Sequence, residues 1–205
     1  MHHLRLSIFI FFICLTAHAH AKILSPISSI KLNDVEKSLL SKDQGYLLIK
    51  LDVSGEGPSF HYRQKEIWRK KSIKVPLGNL ENGYYVLPVK QGDYQITRVD
   101  APHYNLPFYL NIDSIPQWQF TIKAGHLNYI GQLSIEKERS TKHVNINLFN
   151  RFAQDYQEIQ TAVAPVKEHY PLIINLGYRD DFQQELLKKV SAKPLTEQKA
   201  MQEGQ

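Results

Sequence analysis

The central part of the chain alternates between hydrophobic and polar residues with a period of two, which is typical of half-buried β-strands. In the segment 117–124 every even position is hydrophobic, so Trp118 and its neighbours two residues apart are predicted to share the buried face of one strand. A Gly-His pair at 125–126 offers the positive φ of a type II′ turn, and the alternation resumes over 127–135. The pattern therefore predicts a hairpin.

Further segments combine β-branched or aromatic residues with the same alternation and are also predicted to be strands. These segments are 45–53, 73–77, 84–89, 94–99 and 143–148. Turn signals containing Gly, Asn or Asp stand between them at the spacing of an antiparallel meander. Pro88 indicates that its strand lies at an edge or carries a bulge. Short strands without an intervening helix predict a mainly β protein, an antiparallel β-sandwich.

After Asn150 the hydrophobic residues change to helical spacing. Phe152, Tyr156, Ile159 and Val163 recur at intervals of four, three and four, so they are predicted to form one stripe of a helix that ends at the following proline. A second helix is predicted to begin at an aspartate N-cap at 180 or 181 and to run to about 190, after which the composition is polar. The sandwich is thus expected to be followed by two C-terminal helices and a flexible tail.

The first 21 residues have the features of an export signal. Arg5 precedes an apolar run over 6–15, and alternating alanines offer a cleavage site after Ala21. An uncleaved membrane anchor is the competing interpretation, but a spanning helix needs about 20 apolar residues, and this run is too short. The predicted organisation is listed by residue range: 1–21 signal peptide, 22–44 linker, 45–149 β-sandwich domain, 150–190 helical extension, 191–205 flexible tail.

Export also determines the cysteine content of the mature chain. The single cysteine, Cys14, leaves with the signal, so disulfides, zinc-thiolate sites and thiol nucleophiles are excluded if cleavage follows Ala21. The formal net charge of +5 is only mildly basic, and nucleic acid is not an expected partner. No stable transmembrane segment is expected after cleavage.

Several motifs occur in an order that resembles a known family. The segment Glu81-Asn82-Gly83-Tyr84-Tyr85-Val86, the turn Gly92-Asp93-Tyr94, and the run from Phe120 through Ala124-Gly125 to Tyr129-Ile130-Gly131 are similar to exported bacterial domains of unknown function that are often found in lipoproteins. The resemblance covers roughly 45–135. It implies an immunoglobulin-like or transthyretin-like sandwich in the bacterial envelope, and it offers no established catalytic residues to carry over to this chain. The chain departs from the family in having no lipidated cysteine and in its segment after Asn150.

The sequence shows no established catalytic motif, such as a nucleophile elbow, a His-Glu-x-x-His pair or a phosphate-binding glycine loop. No catalytic residue, metal site or cofactor is therefore expected. An alternative is a hydrolase of envelope polymers, which requires scattered histidines and carboxylates to converge in one concave site. The residues considered for it are His61, His103, His126, Asp52 and Glu56.

Aromatic and basic residues are the better candidates for binding, because flat rings with polar tips suit sugar or peptide partners and a basic cluster attracts anionic ones. The candidate binding residues are Tyr62, Tyr104, Tyr109, Arg69, Lys70 and Lys71. The competing interpretation is that the aromatic residues belong to the core and that the lysines protect an exposed strand edge. The sequence therefore predicts a periplasmic or secreted, non-catalytic envelope module that binds a partner protein or a cell-surface glycan.

Overall fold

The structure, a computed structural model, describes residues 22–30, 40–55, 57–65, 72–78, 80–103, 106–138, 140 and 143–176. Among these residues the chain is mainly β, with one α-helix. The strands are β1 Ser25–Pro26, β2 Gln44–Val53, β3 Ser59–Gln64, β4 Ile73–Pro76, β5 Gly83–Lys90, β6 Gly92–Asp100, β7 Tyr109–Asn111, β8 Gln119–Ile122, β9 Leu127–Glu138, β10 His143–Phe149 and β11 Leu172–Ile174. Helix α1 is Tyr156–Val163, and two short 3-10 turns span Ile27–Ser29 and Pro116–Trp118.

The strands form two sheets. The six-stranded sheet has the order β1-β5-β2-β9-β10. Its sixth strand, β11, pairs with β9. The five-stranded sheet has the order β4-β3-β6-β7, and β8 pairs with β6. Consecutive strands β5 and β6 lie in different sheets, so the predicted meander is wrong at this connection. The predicted antiparallel arrangement holds for most pairs, but β2 and β11 both run parallel to β9.

One hydrophobic core is formed by residues of both sheets. It includes alternate residues of β2 together with inward residues of β3 and β6, so each sheet contributes one apolar face. The completely buried members include Leu47, Ile49, Phe60, Tyr62 and Ile96. The alternation predicted for β2 is therefore confirmed on this face.

A second hydrophobic cluster covers the opposite face of the six-stranded sheet. Leu48 and Tyr129 of the sheet are buried there against Ile159 and Val163 of α1. The predicted helical stripe is thus present, although Phe152 precedes the helix and packs on the same cluster. The second predicted helix and the tail lie outside the described residues, as does the signal segment 1–21.

A partly buried ion pair joins this helix to the sheet. The Lys50 Nζ of β2 lies 3.1 Å from Asp155 Oδ2, immediately before α1, and 2.7 Å from Glu158 Oε2 within it. Burial would by itself lower the pKa of Lys50, but hydrogen bonds from its ammonium group to Glu158 and Asp155 outweigh this and raise it. The helix is therefore attached to the sheet by charge as well as by apolar packing.

The predicted hairpin at 125–126 is wrong. Gly125 does have a φ of 69°, but β8 pairs with β6 of one sheet and β9 pairs with strands of the other, so the turn connects the two sheets. The completely buried Asn128 stabilises this crossover, because its Nδ2 donates to the carbonyl oxygens of Lys123 at 3.1 Å and His126 at 3.0 Å. Alternation identifies strands, but it does not identify the partner of each strand.

Two further expectations differ from the structure. Trp118 ends a 3-10 turn and β8 starts one residue later, although the Trp118 ring is buried as predicted. The described part of the 22–44 segment is not only a linker, since Leu24 and Ile27 are buried and β1 pairs with β5. No helix within the described ranges is long and apolar enough to cross a membrane.

Candidate functional site

The outer side of the five-stranded sheet carries a continuous set of polar side chains. Because Phe60 and Tyr62 of β3 point into the core, the alternate residues His61 and Arg63 point outward. We refer to this surface as the Arg98 face. It is defined by His61, Arg63, Ser72, Lys74, Thr97, Arg98, Asp100, Tyr109, Asn111 and Asp113.

A β-bulge in β6 arranges the centre of this face. His61 is paired with Arg98 whereas the next residue, Tyr62, is paired with Ile96, so Thr97 is an extra residue in β6. The bulge places Thr97 beside Arg98, where Thr97 is buried and its hydroxyl oxygen lies 3.0 Å from that of Ser72. The bulge therefore adds one polar side chain at the centre of this face.

The Asp100 carboxylate connects several side chains of the Arg98 face by hydrogen bonds. Its Oδ2 lies 2.7 Å from His61 Nε2 and accepts a hydrogen bond from Ser59 Oγ at 2.9 Å, and its Oδ1 accepts from Arg98 Nε. Burial would raise the pKa of this carboxyl, but the hydrogen bonds from His61, Arg98 and Ser59 outweigh burial and lower it. Asp100 is thus an ionised acceptor that holds its neighbours in fixed positions.

Arg98 stacks on an exposed aromatic ring. Its guanidinium carbon lies 4.3 Å from the ring centroid of Tyr109, and the Tyr109 side chain is 54% exposed. The register of β6 with β7 explains the contact: Tyr109 is opposite Asp100 and Asn111 is opposite Arg98, so Arg98 and Tyr109 are diagonal neighbours.

A polar groove of about 450 Å³ adjoins this stack. Its lining residues are His61, Ser72, Thr97, Arg98, Asn111 and Asp113. The loop after β7 that carries Asp113 is held in two ways. Arg63 Nη2 lies 2.8 Å from Asp113 Oδ1, and the buried Gln95 donates from Nε2 to Ile112 O at 3.0 Å. The groove therefore has a defined wall on this side.

The sequence-predicted binding residues have different positions. Tyr62 is completely buried and its hydroxyl has no hydrogen-bond partner within the described part of the chain, so its assignment to a surface platform is wrong. The cause is the period of two, which places Tyr62 on the core face of β3 together with Phe60. Burial raises its pKa. Tyr109, by contrast, lies on the Arg98 face. Tyr104, Arg69, Lys70, Lys71 and Ala21 lie outside the described residues.

The residues considered for hydrolysis do not come together where they are described. Asp52 accepts hydrogen bonds from Asn82, which precedes β5, and from Gln132 of β9. His126 Nδ1 contacts the carbonyl oxygen of Ala124. The ring of His103 packs against that of Phe108, and Glu56 lies outside the described residues. In the part of the chain that the structure describes, no group of three or more His, Cys, Asp or Glu side chains can hold a metal ion.

Sequence reasoning missed Arg98, Asp100, Asn111 and Asp113. The sequence does indicate that Arg98 and Asp100 share the outward face of their strand, because Val99 between them is apolar. The pairing of β6 with β3 and β7 cannot be predicted from the local sequence. This pairing brings Arg98 and Asp100 close to His61 and Tyr109.

A scan against protein-family models finds no match to this chain, and a search of curated proteins finds none.

Proposed function

We propose that this protein is a non-catalytic envelope module and that it binds a cell-surface glycan on the Arg98 face. The observation that carries the proposal is the stack of Arg98 on the exposed ring of Tyr109 beside a polar groove. Sugars are bound by exposed aromatic rings together with planar polar groups that pair with hydroxyls. The Arg98 face supplies both.

The side chains of this face are held in place before any ligand binds. Asp100 fixes the plane of Arg98 through Nε and also contacts His61, and both of these partners line the groove. A preorganised site loses less conformational entropy on binding than a flexible one. This favours recognition of a ligand that is itself weakly apolar, such as a glycan.

A partner protein is the other ligand class that the sequence left open. The central part of a protein–protein interface is enriched in aromatic residues and Arg, as this face is, but it is depleted in Asp and Ser, which also line the groove here. The groove on the Arg98 face is lined entirely by polar and charged side chains. This lining favours hydroxyl-rich glycans over a protein partner.

The hydrolase alternative depends on convergence of its histidines and carboxylates. The one such contact on the Arg98 face joins His61 to Asp100, a carboxylate already occupied by Ser59 and Arg98. The other described candidates, Asp52 and His126, have structural partners elsewhere. Binding without catalysis is therefore the preferred proposal.

The finer fold assignment and the location belong to the same proposal. A β-sandwich of the immunoglobulin-like or transthyretin-like kind is supported by two tyrosines, since Tyr85 and Tyr94 each donate a 2.8 Å hydrogen bond to the carbonyl four residues upstream. Similar tyrosine corners occur in Greek-key sandwiches. Export to the periplasm or beyond is supported by the signal pattern ending at Ala21, and mass spectrometry of the mature N-terminus tests it.

The experiment for the binding proposal is a screen of the purified protein against bacterial envelope glycans, followed by calorimetry with each ligand found. Binding that is weakened by Arg98→Ala, with the glycan recovered intact, supports the proposal. Glycan cleavage that depends on His61 would support the hydrolase alternative instead. Absence of glycan binding, together with capture of a protein partner that requires Arg98, would favour the protein-binding alternative.

A further inference from the structure

Strand β10, His143–Phe149, is an edge of the six-stranded sheet in the part of the chain that the structure describes. It is the last strand of the order β1-β5-β2-β9-β10 and pairs on one side with β9 over its entire length, from His143 opposite Glu138 to Phe149 opposite Gln132. No other strand in the described ranges pairs with it. Its second side therefore presents backbone N–H and C=O groups that can pair with another chain.

The other edge strands in the described ranges are short, with two to four residues each, whereas β10 is not. The edge strand β1 has two residues and ends at Pro26, and the edge strand β4 has four residues and contains Lys74 and Pro76. Short length, proline and lysine all discourage edge-to-edge pairing. Strand β10 has seven residues, a register without a bulge, and neither proline, lysine nor a carboxylate.

The apolar side chains of β10 are incompletely buried. Val144, Ile146 and Leu148 pack against the shared core but remain half-buried, while the alternate residues from His143 to Phe149 are exposed. An added strand would complete the burial of the three apolar residues, because it would extend the same face of the sheet.

We infer that a second copy of this chain pairs with β10, antiparallel and about a two-fold axis at Ile146. In this register Ile146 lies opposite Ile146 of the second copy and Val144 lies opposite Leu148, so apolar residues meet on the core side. Asn145 lies opposite Asn147 on the outer side, and no carboxylate or ammonium group of β10 meets a like charge. The contact is isologous, which closes the assembly as a dimer with one continuous sheet.

The asparagines provide a matched test, because both are exposed and lie outside the core. Asn145→Lys combined with Asn147→Lys places two like-charge pairs directly opposite each other in the dimer. Asn145→Lys combined with Asn147→Glu alters the same positions but creates two opposite-charge pairs. Directly opposed like charges destabilise strand pairing, whereas opposite charges support it.

Sedimentation velocity over a concentration series, with thermal unfolding to verify the fold, measures the outcome on the complete protein. The unmodified protein is expected to show a reversible monomer–dimer equilibrium. The dissociation constant of the double-lysine variant is expected to be at least about tenfold higher than that of the unmodified protein. The Lys/Glu variant is expected to remain dimeric. A monomer at every concentration would overturn the inference, as would a dimer that tolerates both variants equally.

Discussion

The guanidinium group of Arg98 lies over the ring of Tyr109, 4.3 Å from the guanidinium carbon to the ring centroid, on a face of the sheet that is open to solvent within the described part of the chain. The two residues are diagonal neighbours because Tyr109 is paired with Asp100, two positions beyond Arg98. A cation on an exposed ring combines an apolar surface with fixed donors. The proposed binding function depends on this combination.

Tyr109→Ala is expected to weaken glycan binding about fivefold, because an aromatic contact of this kind contributes about 1 kcal/mol. The free energy of unfolding is expected to change little, since the ring is 54% exposed. Calorimetry and urea unfolding measure the two effects. Ile23→Ala, at an exposed residue on the N-terminal segment, is the matched control and is expected to leave affinity unchanged. Equal losses of affinity in both variants would contradict the assignment.

Asp100→Asn is expected to reduce the free energy of unfolding by about 1–2 kcal/mol at neutral pH, because it weakens three hydrogen bonds to a largely buried carboxylate. The pKa of Asp100 is lower in the folded protein than its ordinary value of 3.8. Its contribution is therefore present above pH 3.8 and is lost as the pH falls through the folded pKa.

The difference in unfolding free energy between the unmodified protein and Asp100→Asn should thus be present at neutral pH and should shrink in acid, below pH 3.8. Urea unfolding at a series of pH values measures it. Asp113→Asn is the control, because its exposed ion pair with Arg63 is expected to contribute less than about 0.5 kcal/mol. A difference for Asp100→Asn that stays the same from neutral pH into strong acid would contradict the hydrogen-bonding account.

Tyr62→Phe is expected to stabilise the fold by about 1 kcal/mol, because it removes a buried hydroxyl that has no partner among the described residues. Tyr94→Phe is expected to destabilise it by about 1 kcal/mol, because the Tyr94 hydroxyl donates to the Lys90 carbonyl at 2.8 Å. Thermal and urea unfolding of the pair measure the contrast. Weaker glycan binding by Tyr62→Phe would restore Tyr62 as a candidate surface residue.

Lys50→Met is expected to lower the free energy of unfolding by about 1–2 kcal/mol and to increase hydrogen exchange in α1. It removes the ammonium group from the largely buried Asp155, which then keeps Arg151 Nε at 3.5 Å. Lys90→Met is the control. Its exposed ion pair with Asp43 is expected to contribute less than about 0.5 kcal/mol. Similar losses for the two variants would show that the helix is held by apolar packing alone.

The sequence predicted the strands better than their partners. Leu47, Ile49 and Leu51 alternate and are buried in the shared core, as their spacing indicates. Leu48 is equally buried, because α1 and the N-terminal segment cover the other face of β2. The alternation within one strand does not predict that another element packs on its second face. The crossover at Gly125 resembles a hairpin turn locally and differs from one only in the partners of its strands.

The candidate site was predicted less well for the same reason. Tyr109 is one of the candidate binding residues that the sequence offers, whereas Arg98 and Asp100 belong to no local motif. Their positions depend on the pairing of β6 with two other strands and on the bulge at Thr97. These are long-range features, set by how the sheets pack and not by neighbouring residues.

The measurement that tests the binding proposal most directly is amide chemical-shift mapping of the labelled protein during titration with a glycan from the envelope screen. The proposal predicts perturbations concentrated on outward residues of β3, β6 and β7, around Arg98 and Tyr109, and reduced in Tyr109→Ala. Perturbations confined to the helix side of the six-stranded sheet, or shifts at the Arg98 face that are unaffected by Tyr109→Ala, would contradict it.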